Sequence, residues 1–134
     1  MEIKEIEIQD SKGNREIGFF SISDQPPWKN AFNSPSIGEV LIEEYDLFEA
    51  MVYLRNFLKE KNYIVLCNGA RADVFPSAMS RDMSRGRKAY ITIFGQQGNP
   101  ENLIDIFDFT EPHLISTPEA QEEFHEKWFK SLGK

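Results

Sequence analysis

Cysteine is nearly absent from this chain. Cys67 stands alone in 134 residues, so no disulfide can staple the fold from within. A lone thiol fits a reducing compartment. Long apolar runs are missing as well: none approaches the ~18–20 residues that cross a bilayer. The opening MEIKEIEIQD carries acids where a secretory leader needs positive charge and an apolar segment. These absences make a cytoplasmic protein with no membrane partner the expectation. The motifs of catalysis are lacking too. No phosphate loop, dinucleotide fingerprint, HExxH, CxxC or nucleophile elbow occurs. Cys67 ends an apolar run with no histidine beside it, the setting of a core thiol rather than a base-paired nucleophile. Glu122 and His125 have the spacing of one helical carboxylate–histidine pair, whereas di-metal bundles need two such pairs and further carboxylates. No metal, cofactor or catalytic residue is expected.

What is present suffices for a core. Hydrophobic residues make up 40% and include 11 Phe, enough for one domain spanning residues 1–134. The formal charge of −7 repels nucleic acid and anionic lipid and attracts basic partners. Its plain consequence is solubility.

Glu2 to Gln9 and Arg15 to Ile22 flank the turn cluster Asp10-Ser11-Lys12-Gly13-Asn14 and predict a β-hairpin. Ile3 and Ile6 fall out of phase, which predicts a bulge. Ser23 to Gly38 carries Pro26, Pro27 and Pro35 and reads as a loop without regular structure. Trp28 and Phe32 within it either pin the loop to the core or anchor a partner. Glu39 to Glu44 reads as a short strand. Asp46 opens a helix, with Glu49 at the capping-box offset and Leu47, Met51, Leu54 and Leu58 on one face. Arg55, Lys59 and Lys61 complement the negative end of that helix. Tyr63–Cys67 and Arg87–Phe94 read as strands, with a short helix within Val74–Met83, and Leu103–Phe109 reads as a further strand or the start of a helix. Ser116-Thr117-Pro118-Glu119 starts a last helix whose face is Ala120, Phe124, Trp128 and Leu132. The expected fold is α+β: one largely antiparallel sheet with two main helices packed on it.

The chief irregularity is charge. Between Asn68 and Tyr90, four arginines and Lys88 face only Asp73 and Asp82, a basic island in an acidic chain. Three readings are open. The arginines pair with carboxylates elsewhere, since Arg forks match carboxylates. Alternatively Arg71, Asp73, Ser77, Arg81, Arg85 and Arg87 form a site for an anionic ligand or substrate, with Asp73 as a base. Or the segment is a docking edge. Its counterparts are two stretches with no Lys or Arg, Asn30–Leu54 and Ala89–Glu126. They hold Glu39, Glu43 and Glu44 in one, and Glu119, Glu122 and Glu123 in the other.

In its small size, the acidic patches Glu39–Glu49 and Glu119–Glu126 and the aromatic-bearing Pro-rich loop around Trp28, the chain resembles the immunity proteins of bacterial contact-dependent inhibition and polymorphic toxin systems. The resemblance implies a non-enzymatic protein that covers the active site of a basic toxin domain. Trp28, Phe32, Glu39, Glu43, Glu44, Glu119, Glu122 and Glu123 would make the contact, without direct binding of nucleic acid. An anionic-ligand domain using the Arg segment, and a homodimeric structural or adaptor subunit, are the alternatives.

Overall fold

The computed structural model describes residues 1–133. The fold is single-domain α+β. Strands β1 (Glu2–Asp10), β2 (Arg15–Ile22), β3 (Lys29–Ser34) and β4 (Gly38–Glu43) lead into helix α1 (Leu47–Lys59) and strand β5 (Tyr63–Val65). Then come β6 (Val74–Phe75), helix α2 (Ala78–Ser84), β7 (Lys88–Ile91), β8 (Leu103–Asp105) and helix α3 (Pro118–Ser131). The first five strands form one antiparallel sheet in the order β4-β3-β2-β1-β5, and β6-β7-β8 form a second, smaller one. The single sheet expected from the sequence is thus divided in two. Among the described residues no helix is long and apolar enough to cross a membrane.

The hairpin forms as its turn chemistry dictates. The Asp10 carboxylate accepts from the backbone N–H groups of Lys12 and Asn14, both at 2.9 Å, and Gly13 takes a φ of +88°. The expected bulge does not occur. β1 and β2 pair residue for residue from Glu2↔Ile22 to Gln9↔Arg15. Ile6 and Ile8 face inward, while Ile3 turns to the outer face and remains exposed.

Residues 23–38 are not the loop without regular structure expected of them. The prolines bracket a strand instead of excluding one. Pro26-Pro27, joined by a cis peptide bond, precede β3, and Pro35 follows it. Within β3 the inward residues are Asn30, Phe32 and Ser34, a pattern too polar to signal a strand. Each of the two polar side chains accepts one local hydrogen bond, while Asn30 Nδ2 is buried without a partner. Asn30 Oδ1 accepts from Ser23 N–H at 2.9 Å and Ser34 Oγ from Ile37 N–H at 3.3 Å. Phe32 is 0% exposed and belongs to the core, so it cannot anchor a partner.

Helix α1 lies on the inner face of the five-stranded sheet. Leu47, Phe48, Met51, Leu54 and Leu58 pack against Ile6, Ile8, Phe20, Phe32 and Ile42 in one cluster. Asp46 caps it, accepting from Glu49 N–H at 2.8 Å. Cys67 is buried in the same cluster, and desolvation pushes its thiol well above the ordinary range.

Helix α3 packs on β6 and α1. Its N-cap is Thr117, which accepts from Ala120 N–H at 3.1 Å. The inward face is Gln121, Phe124, His125 and Trp128, one residue round from the expected one, and Ala120 is exposed. His125 stacks on Phe75 at 3.8 Å and on Trp128 at 5.6 Å. Its Nδ1 is buried without a hydrogen-bond partner. Burial, aided by nearby Arg81, holds its pKa below the usual value. The unfolded chain therefore binds more protons than the folded one. The stability tied to neutral His125 is complete above about pH 6.5 and is lost as pH falls through the lower folded value. Phenylalanine at position 125 keeps the stack and removes the titration. Between about pH 7.5 and 5.5, the urea midpoint should drop in the wild type and drop less in His125→Phe. Parallel profiles would rule out this origin.

Candidate functional site

The arginines of the basic segment are bound within the molecule. Arg71 holds Asp73 through Nε and Nη2, both at 2.8 Å. Arg81 Nη1 meets Asp46 at 2.6 Å and Glu49 at 3.5 Å, beneath the rings of Phe48 and Phe75. Arg87 grips Asp105 at 2.9 Å and Glu2 at 2.6 and 2.8 Å, and the Glu2 bonds hold its proton above the ordinary range. Ser77 caps α2, accepting from Ser80 N–H at 3.0 Å. Arg71, Asp73, Ser77, Arg81, Arg85 and Arg87 therefore do not converge on one anion site. Three of the guanidinium groups already carry a carboxylate, and Ser77 is spent on a helix end.

Arg85 differs. It ends α2 with a left-handed φ of +58°, its carbonyl accepts from Leu47 N–H at 2.6 Å, and its Nη1 donates to Ser23 O at 2.8 Å. The guanidinium lies 3.6 Å over the Trp28 ring. Trp28 is thereby half-buried on the helical side of the sheet, pinning the β2–β3 connection to α2. It does not stand with the acidic residues of β4.

Those residues lie on the outer face of the five-stranded sheet. β4 is an edge strand, and strand alternation puts Val40 and Ile42 inside and Glu39, Leu41 and Glu43 outside. Register then builds two parallel rows across four strands. Leu41, Ala31, Ser21 and Ile3 form one; Glu39, Asn33, Phe19 and Glu5 form the next. Leu41 is 69% exposed and Ile3 59%, with Ile17 and Phe19 also exposed. Glu5, Glu7, Glu39 and Glu43 surround these apolar side chains. The cations of the face are Arg15, 3.5 Å from Glu7, and Lys29, opposite Glu43 in the register. Where β1 runs beyond β5, a cavity of about 160 Å³ opens between Glu5, Glu7, Ile17 and Phe109. No helix of the described residues covers this face. Helix α1 packs on the opposite one.

Glu44 follows β4, half-buried at the approach to α1. Glu119, Glu122 and Glu123 are exposed on α3, in the helical layer. The acidic residues read from the sequence thus divide into a sheet group and a helix group on different layers.

The sequence reading missed Arg55 and Gln121. Arg55 turns away from the solvated end of α1 and is 6% exposed; Gln121 is 1% exposed. Arg55 Nη1 donates to Gln121 Oε1 at 2.7 Å and Nη2 to Ser116 O at 2.8 Å. Gln121 Nε2 in turn lies within reach of the carbonyls of Gly69, Arg71 and Val74, at 2.8–2.9 Å. One signal for this was present: a glutamine where the helical face of α3 called for an apolar residue. The chain matches no protein-family model and no curated relative.

Proposed function

We propose that this chain is an immunity-type binding protein. It docks on a basic toxin domain through the outer face of its five-stranded sheet and covers that domain's active site. The observation that supports the reading is the uncovered row of Leu41, Ala31 and Ile3 with Phe19 and Ile17 beside it, enclosed by Glu5, Glu7, Glu39 and Glu43. Interfaces combine such a desolvated centre with a polar rim. Here the rim is acidic, so it selects Lys and Arg on the partner and repels an acidic surface. The cavity between Glu5, Glu7 and Phe109 suits the apolar stem and cationic head of one such side chain. The acids of α3 add to the steering field without making the contact.

The test is co-expression with the C-terminal region of the protein encoded immediately upstream, scoring survival and complex formation. Leu41→Lys with Ile3→Lys should weaken the complex at least ~100-fold, because both side chains lie in the apolar centre. Glu119→Lys with Glu122→Lys should leave the dissociation rate unchanged and slow association at low salt. The reverse pattern would move the site to α3. Absence of both rescue and complex would overturn the reading, and concentration-dependent sizing would then show whether the same face joins two copies of this chain.

A further inference from the structure

Arg55, the one buried arginine among the described residues, lies outside the basic segment and has no counter-ion. A cavity of about 340 Å³ opens between the edge strand β5 and the segment 112–118. Its walls are mostly apolar, including Tyr63, Ile64, Ala70 and Ile115. Arg55 lines it as well, and Lys59 stands exposed beside it. The acceptors around the guanidinium are all neutral. Besides Gln121 Oε1 and Ser116 O, they are the carbonyls of Gly69 and Ala70, both at 3.4 Å and therefore weak. Among the described residues Arg55 makes no ion pair, and its Nε–H has no acceptor. Arg71, Arg81 and Arg87, all more exposed, each hold a carboxylate, and Arg85, also more exposed, lies over the Trp28 ring without one.

A buried cation is ordinarily matched by an anion, because solvation by dipoles alone leaves much of the desolvation cost uncompensated. Desolvation is felt here: it lowers the Arg55 pKa to about 10, with Glu119 opposing it only from a distance. The cavity lies at the small end of the range for small-molecule sites, roughly 300–1,000 Å³. Apolar walls with one fixed charge specify the ligand.

We infer that this cavity binds a small carboxylic acid with an apolar body, a medium-chain alkanoate or an aryl-alkanoate. The carboxylate pairs with Arg55, and the apolar body lies along Tyr63, Ile64 and Ile115. This site is on the opposite edge of the sheet from β4 and is independent of the docking face.

The test is a nitrogen-15 NMR titration of the full chain with octanoate, octan-1-ol and octylamine. The three share a chain and differ in head group. Octanoate should shift the Arg55 Nε–H resonance saturably, and bind at least about tenfold tighter than octan-1-ol, the ratio a charge-assisted hydrogen bond provides. Octylamine should not compete. Ile115→Trp fills the cavity and leaves the acceptors of Arg55 in place; it should abolish the saturable shift while the amide spectrum stays dispersed. Equal affinity for octanoate and octan-1-ol would overturn the proposal. So would no saturable shift up to on the order of 10 mM, an affinity below which no dedicated site remains, or an undiminished shift in Ile115→Trp.

Discussion

Leucine in place of Gln121 should cost about 3 kcal/mol or more and lower the melting temperature by roughly 10 °C or more. The side chains are similar in size, so the loss comes from polar groups left unmatched. Gln121 Oε1 is the nearest acceptor of the Arg55 guanidinium, at 2.7 Å. Its removal leaves a buried cation with Ser116 O at 2.8 Å and two carbonyls at 3.4 Å. The Gly69, Arg71 and Val74 carbonyls lose their Gln121 donor in the same change. A buried group left unsatisfied costs about 1–3 kcal/mol, and more when it is charged. Gln121→Glu separates the two halves of this role. It supplies Arg55 with a carboxylate but cannot donate to the carbonyls, so it should melt between the wild type and Gln121→Leu. A leucine variant melting within about 2 °C of the wild type, under 1 kcal/mol for a chain of this size, would remove this pair from the account of stability.

Alanine in place of Gly18 should cost about 2–3 kcal/mol. Intrinsic preference points the other way, since Ala in a strand is favoured over Gly by about 0.5–1 kcal/mol. Sterics decide the sign. Gly18 faces inward on β2, and a Cβ there would lie 2.5 Å from Phe32 Cε1, closer still to its Cζ, and 3.0 Å from the Asn33 carbonyl. Real Cβ atoms do not approach so closely, so the ring must leave its place in a core packed to crystal-like density. The diagnostic is a double-mutant cycle. Phe32→Leu alone opens space and destabilises, but in the Gly18→Ala background it should cost at least ~1 kcal/mol less, because it relieves the clash. Additive costs in urea unfolding would mean that the two residues do not meet.

Where the signal lies within a few residues, sequence and structure agree. Asp46 and Glu49 with the Leu47–Leu58 periodicity define α1, and the Asp10–Asn14 turn defines the first hairpin. Two departures arose from reading a local rule without its context. The phase break at Ile3 is an apolar side chain on the outer face, and it belongs to the row that supports the docking proposal. The polar alternation Asn30-x-Phe32-x-Ser34 hid β3, because the backbone donors that make those polar residues tolerable come from the neighbouring turns. The α3 face was displaced by one residue for a related reason. Gln121 counts as polar by type, but bonds to three carbonyls more than forty positions earlier in the chain place it inside.

The α+β class, the caps and turns, the acidic balance and the basic island are all legible in the order of the residues. Each depends on residue type and near neighbours. Which charges remain free to act depends on packing. Arg87 is neutralised by Glu2, 85 positions away, and Arg81 by Asp46 across 35, whereas Arg55 is carried into the interior without an anion. The reason is physical. Electrostatic pairing and desolvation depend on distance in space and on local dielectric, and both are set by how the layers pack. One layer covers Trp28 and Phe32, and the other face of the same sheet leaves Leu41 and Ile3 uncovered among carboxylates.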